Sequence, residues 1–172
     1  MPKLTLTDPS FAQTAPHKVV VERTVEASPE AIWTVLSDNT TWTSWFTGMS
    51  RCDSTSSPAT GIGSTRTVKV GPLVAEERFI SWEPNKLWGF SVIRTNLPVA
   101  RKMLEQVELV DRSTPTRAAS LVRYTGAFVP HRFAVLTFAL TKRQVCAAWT
   151  RGLDGLAGFV ADRDAPGRSE SL

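Results

Sequence analysis

The sequence predicts an α+β domain in which a curved antiparallel sheet of six to seven strands and one long C-terminal helix enclose a cavity, with two short helices near the N-terminus. Three observations carry this. From Ile62 to Phe128 apolar residues recur with the period of two that marks strands. The connections between those strands are two to four residues long, too short for the crossover a parallel pair needs. After Val129-Pro130 the period becomes helical, and a meander with one apolar face needs such a cover.

Met1–Pro16 has three prolines and little periodicity, and reads as a tail or a loosely docked arm. Lys18–Glu26 is rich in valine and alternates, so it reads as a strand. In Ala27-Ser28-Pro29-Glu30 a capping serine, a proline suited to the first helical position and an acidic first-turn residue open a helix. Its apolar face is Ala31, Ile32, Val35 and Leu36. Asp38 is expected to cap a second short helix carrying Trp42, Trp45 and Phe46, which Gly48 ends.

Strands are then expected at Ile62–Val70, Leu73–Glu83, Lys86–Asn96, Arg101–Arg112 and Arg117–Phe128, with Met49–Ser54 as the least marked. Val135, Phe138, Val145, Trp149, Gly152, Leu156 and Phe159 share one face of a terminal helix of about 25 residues. Asp162–Leu172 is polar and reads as a second tail.

Alternation sorts each strand into two faces. Trp88, Phe90 and Val92 face one way; Met103, Glu105, Val107 and Leu109 share a face on the next strand; Val122, Tyr124 and Phe128 do so on the last, with Gly126 in phase. Arg66 is in phase with Val68 and Val70. On Leu73–Glu83 either Glu77 with Ala75, Phe79 and Ser81, or Glu76 with Val74, Ile80 and Trp82, faces inward. A charge in phase with core positions is costly unless paired or wetted. Arg66, Glu105 and one of Glu76 or Glu77 therefore line a partly hydrated cavity, or else reach water at an open rim. Gly152, Gly155 and Gly158 imply close helix–sheet packing or room for a ligand, and the last two fit a fraying end equally.

Composition narrows the function. The net charge of +4 comes from scattered basic residues, whereas nucleic-acid binders concentrate theirs in a stripe, so no nucleic-acid partner is expected. Cys52 and Cys146 form no CxxC and have no neighbouring histidine, and His17 and His131 stand apart, so no metal site or other cofactor is expected. No apolar stretch has signal-peptide form or membrane-spanning length. The expectation is a cytoplasmic protein with reduced thiols, a monomer or homodimer without stable membrane insertion.

The succession VERTVEASPEAIWTVLSDNTTWTSWF, then GPLVAEERFISWEPNKLWGFSV, then a closing amphipathic helix, resembles the START-like (SRPBCC) superfamily, in its bacterial polyketide cyclase/dehydrase-like branch. Ser28-Pro29-Glu30, Trp33, Asp38, Trp42 and Trp45 carry the resemblance most specifically, followed by Glu77-Arg78 and Trp82-Glu83-Pro84. It implies the helix-grip fold, a domain over 18–161 between tails at 1–17 and 162–172, and an inner wall of Glu77, Phe79, Trp88, Phe90, Val107 and Tyr124. It also resolves the ambiguous strand in favour of Glu77.

The leading functional expectation is binding or transport of a small hydrophobic molecule of lipid, polyketide or aromatic type. Its site comprises Arg66, Val68, Glu77, Phe79, Trp88, Phe90, Val92, Met103, Glu105, Val107, Tyr124 and, from the helix, Trp149. The alternative is a polyketide cyclase or dehydratase-like enzyme with Glu77 and Glu105 as acid and base candidates. A third is a protein-interaction module using Trp42, Trp45 and the sheet edge.

Overall fold

After the first strand and the two helices that follow it, each strand up to the last pairs with the next. The computed structural model describes residues 1–98, 100–131 and 138–164, and in the last stretch the side chains of 142–163. Among the described residues the strands are β1 (His17–Val25), β2 (Met49–Ser54), β3 (Thr65–Val70), β4 (Leu73–Glu83), β5 (Leu87–Thr95), β6 (Ala100–Asp111) and β7 (Ser120–Pro130). They form one antiparallel sheet in the order β1-β7-β6-β5-β4-β3-β2, so β1 closes onto the last strand. Gly71, at φ +55°, and Asn85, at φ 63°, supply the left-handed residues of the β3–β4 and β4–β5 turns.

The helices are α1 (Phe11–Thr14), α2 (Pro29–Ser37), α3 (Trp42–Trp45) and α4 (Phe138–Asp164). Ser28 caps α2 as expected, its Oγ accepting from the Ala31 N–H at 3.3 Å. Asp38 does not cap α3. Its carboxylate accepts from the Thr40 N–H and hydroxyl at 2.9 and 2.7 Å, turning the chain out of α2, and Thr41 precedes α3 instead. The long helix α4 crosses the inner face of the sheet, packing on β1, α2 and α3.

Two glycines let α4 approach closely. A Cβ on Gly155 would lie 2.1 Å from the Trp45 carbonyl oxygen, and one on Gly152 would lie 2.9 Å from Phe46 Cε2. Nothing approaches Gly158. Close packing thus accounts for the first two.

The structure revises several expectations. β3 begins at Thr65, because Gly61 and Gly63 hold the preceding residues in a turn at φ +96° and +87°. β7 begins only at Ser120, so the β6–β7 connection is longer than the sequence implies. Helix α4 runs through 162–164, which were expected in a tail. A β-bulge between Phe79 and Ser81 sets Trp82 opposite Trp88 on the inner face, although strict alternation puts it with Glu76 outside. Val135, the Phe138 side chain and residues 165–172 lie outside the described residues.

The segment before β1 is docked. Ala12 and Ala15 pack with Leu104 and Ala127 on the outer face of the sheet, and Leu4 joins the main core.

A cavity bordered by two buried carboxylates

The cavity lies between α4 and the end of the sheet near the β3–β4 turn, with a volume of about 200 Å³. β3 contributes Arg66 and Val68, β4 Glu77, β5 Phe90 and Val92, β6 Met103 and Glu105, β7 Tyr124, and α4 Trp149. These predicted residues come together as alternation requires. Phe79, Trp88 and Val107 do not line it. All three are fully buried in the solid core beside it, where Trp88 stacks on Trp42 at 5.0 Å and meets Phe79 edge-on at 5.2 Å. The inward phase alone did not distinguish filled from open space.

Arg66 is only 1% exposed and is held by polar and aromatic partners together. Its Nε donates to Glu77 Oε2 at 2.6 Å, and Nη1 donates to Asn39 Oδ1 at 3.1 Å and to the Cys52 sulfur at 3.6 Å. Its guanidinium carbon lies 4.3 Å from the Trp42 ring centre, 4.8 Å from Trp88, and 5.2 Å from both Phe79 and Phe90. A planar, weakly hydrated cation is suited to such an aromatic box. Burial, the largest single effect, works against the charge, but Glu77, Cys52 and Tyr124 together outweigh it, so Arg66 stays charged. Burial raises Glu77 above the ordinary carboxylate value, and Arg66 offsets only part of that rise. The Cys52 thiol, pushed up to about 11 mainly by burial, stays protonated.

Glu76, the other candidate, points outward and meets Arg94 at 3.5 Å. Glu77 is therefore the inward carboxylate.

Glu105 is 8% exposed and, among the described residues, has no counterion of its own. Tyr124 donates its hydroxyl to Glu105 Oε2 at 2.5 Å. Burial and the nearby Glu77 charge push the Glu105 carboxyl up to about 8, against smaller opposing effects of Tyr124 and Arg66. Burial first, then the bonded Glu105 and, less, Glu77 raise Tyr124 well above its ordinary value, so it stays a neutral donor. With Arg66 and Glu77 cancelling, a neutral Glu105 leaves the site without net charge, as a dry wall favours. Tyr124 donates to Oε2, which leaves Oε1 as the oxygen free to carry the proton. The wall thus holds a carboxylic acid able to donate a hydrogen bond near neutral pH.

A family described as "Polyketide cyclase / dehydrase and lipid transport" matches residues 16–159 of this chain. The chain belongs to that family. An uncharacterized protein of Mycobacterium tuberculosis (strain H37Rv) is 38% identical over 76 residues, and one of Mycobacterium bovis matches equally. The match covers 44% of this chain and 46% of either relative, so the chain matches less than half the length of those curated proteins.

Among solved structures, the Zhui aromatase/cyclase of Streptomyces sp. R1128 superposes with a TM-score of 0.70 at 14% identity, covering 87% of this chain and 96% of that one. A norcoclaurine synthase point mutant from Thalictrum, complexed with a transition-state analogue, gives 0.64 at 18% identity, with 87% and 96% covered. A protein from Bacillus thuringiensis gives 0.66 at 17% identity, with 85% and 100% covered. At such identities the likeness is one of fold, the helix-grip arrangement that the opening and central motifs imply.

Sequence reading missed Phe46, Met49, Ala75 and Thr95 in the wall, and Asn39 and Cys52 as partners of Arg66. Thr95 faces inward because the β4–β5 ladder shifts register after Glu76↔Arg94, leaving Ile93 unpaired with β4. Trp42 and Trp45, candidates for a docking surface, are buried, with indole N–H groups bonded to the Leu36 carbonyl and the Thr41 hydroxyl. A larger depression of about 640 Å³ lies at the opposite end of the strands, by Glu30, Glu83, Glu108 and Asp111, outside the sheet–helix space. Among the described residues, no group of three or more His, Cys, Asp or Glu side chains is placed to hold a metal ion. No described helix is long and apolar enough to cross a membrane.

Proposed function

We propose that this chain binds a small, flat, apolar molecule carrying a carbonyl oxygen, with the neutral Glu105 carboxyl as the donor that orients it. The observation that carries this reading is the Tyr124–Glu105 bond in a mostly apolar wall whose other charged residues, Arg66 and Glu77, are paired with each other. Size supports the rest. A cavity of about 200 Å³ is below the ~300 Å³ at which drug-sized sites begin. It suits one or two fused rings, and excludes a tetracyclic polyketide or a two-chain lipid. The rings of Trp42, Phe90, Phe128 and Trp149 are part of the lining such a guest would meet.

Calorimetry with 1-tetralone and its hydrocarbon counterpart tetralin tests the reading. The wild-type chain should prefer the ketone about tenfold, the worth of one buried hydrogen bond. Glu105→Leu should erase that preference while leaving tetralin binding intact. Failure of the chain to bind either compound, or a preference that survives in Glu105→Leu, would sink it.

A second reading, catalysis of a cyclase or dehydratase type, is favoured by the same carboxyl. A proton held up to about 8 can pass from Glu105 to a carbonyl or departing hydroxyl oxygen, and the carboxylate left behind can take one from carbon. Glu105→Gln separates the readings, because the amide still donates a hydrogen bond but supplies no acid. Turnover of a bicyclic β-hydroxy ketone lost in Glu105→Gln, with ketone binding kept, would establish catalysis; no turnover by the wild type would remove it.

A further inference from the structure

β5 and β6 are paired over only part of their length. The ladder runs from Leu87↔Glu108 to Ser91↔Leu104 and stops, although β5 continues to Thr95 and β6 begins at Ala100. Beyond Ser91 the strands separate, and the slot between them is filled by the N-terminal arm. The Leu4 N–H donates to the Ile93 carbonyl on β5 at 2.9 Å, while the next N–H, of Thr5, donates to the Arg101 carbonyl on β6 at 3.0 Å. The Thr95 N–H donates to the Pro2 carbonyl at 3.2 Å, and Lys3 bridges Arg94 in antiparallel register. Farther along, the Thr7 N–H donates to Ser91 Oγ at 3.1 Å. The arm is thus a short extra strand wedged between two others.

Its position matters because this slot backs the cavity. Val92 and Thr95 on one bank, and Met103 on the other, are cavity-wall residues. Leu4 reaches between the banks into the main core. The plug is also loosely held compared with a true central strand: the Thr7 hydroxyl is buried with no partner among the described residues, and Leu6 is half exposed. A buried hydroxyl without a partner weakens the docked state relative to one in which water reaches it. The arm, moreover, precedes residues 16–159, the part that matches the family.

We infer that residues Pro2–Thr7 are a displaceable strand closing a lateral portal between β5 and β6, through which a small apolar guest reaches the cavity. Displacing the arm removes the Leu4 stopper and frees the Ile93 and Arg101 carbonyls to water at the rim, while the β5–β6 ladder below Ser91 holds the sheet together. The proposal rests on the cavity reading above for the guest, but the portal itself is a property of the arm and is tested separately.

Lys3 and Arg94, as bridge partners, are suited to a disulfide that locks the arm. In Lys3→Cys/Arg94→Cys, made with Cys146→Ser, stopped-flow binding of 1-tetralone should be at least tenfold slower oxidised than reduced, with the same Kd. A second arm needs no ligand: Val92→Cys puts a buried thiol on the portal bank, and its reaction with methyl methanethiosulfonate reports access. Deleting residues 2–7 should raise that rate at least tenfold, and Thr5→Pro, which removes only one N–H, should raise it less. Circular dichroism confirms folding of each chain. Equal thiol rates in full-length, Thr5→Pro and truncated chains overturn the portal, whether or not tetralone binds. A faster thiol reaction without any tetralone binding supports the portal and removes only the guest.

Discussion

Tyr124 donates to Glu105 at 2.5 Å although the two are not cross-strand partners: Glu105 stands opposite Gly126, and Tyr124 opposite Val107. The bond is therefore diagonal across the β6–β7 ladder, within the reach of a long side chain on a shared face. It joins the only described carboxyl of the cavity wall without a counterion to a phenol that stays neutral.

Glu105 sets a pH dependence of stability. The folded chain holds its proton up to about 8, against an ordinary value of 4.5. Between those limits the folded state binds more protons than the unfolded one, so stability falls as pH rises through the window; outside it Glu105 adds no slope. The loss is at most about 1.4 kcal/mol per pH unit. Glu105→Gln should lose less stability than wild type between 4.5 and about 8. Parallel denaturation curves for the two proteins across that range would show that Glu105 is ionised throughout.

Arg66 and Glu77 should behave as a unit. Removing one partner of a buried pair leaves the other uncompensated, which costs about 3–5 kcal/mol, whereas replacing both with apolar residues costs far less. Arg66→Met alone should therefore destabilise severely, and Arg66→Met/Glu77→Leu less than Arg66→Met alone. Urea unfolding of the cycle measures this. Simple additivity would mean that the aromatic box around the guanidinium, and not the carboxylate, carries the interaction.

How far the sequence foretells this site depends on the kind of question asked of it. Alternation placed Arg66 and Glu105 inward because a ladder of period two admits no other solution once Val68 and Val107 are inside. It misplaced Trp82 because a bulge adds a residue without leaving any apolar mark. It misjudged Phe79, Trp88 and Val107 for another reason. Facing inward says nothing about what fills the space ahead, and Trp42, delivered from α3 across the core, fills it. Asn39 and Cys52 reach Arg66 from 27 and 14 residues away, and no local pattern encodes such a meeting. The sequence allowed a loosely docked arm, but its docking place was hidden likewise, since its hydrogen bonds depend on a gap between strands that only the folded sheet reveals.

The glycines of α4 separate propensity from packing. Gly158 has nothing within 4 Å of a built Cβ, so Gly158→Ala should stabilise the chain by up to about 1 kcal/mol through helix propensity alone. Gly155→Ala gains the same propensity but drives a Cβ to 2.1 Å from the Trp45 carbonyl oxygen, which is backbone and cannot swing aside. It should cost the ~1–3 kcal/mol of stability typical of overpacking, read as a lowered Tm. A stabilising Gly155→Ala would mean that α4 lies farther from α3 than described.

Gly126 controls the cavity from the opposite side. A Cβ there would lie 2.0 Å from Trp149 Cη2 and 2.8 Å from Phe128 Cζ, so an alanine cannot be accommodated unless the indole moves. The Trp149 ring is tilted against Tyr124 at 4.7 Å and stacked on Phe128 at 6.1 Å, which restricts it on both sides. The remaining free volume is the cavity itself, of which Trp149 is a wall. Gly126→Ala should therefore push the indole into the guest's space, weakening 1-tetralone binding at least tenfold while costing ~1–3 kcal/mol of stability. Glu105 and Tyr124 keep their places, so the variant should retain the wild-type fall in stability with pH. A folded Gly126→Ala chain that binds tetralone as tightly as wild type would place the guest somewhere other than beside Trp149.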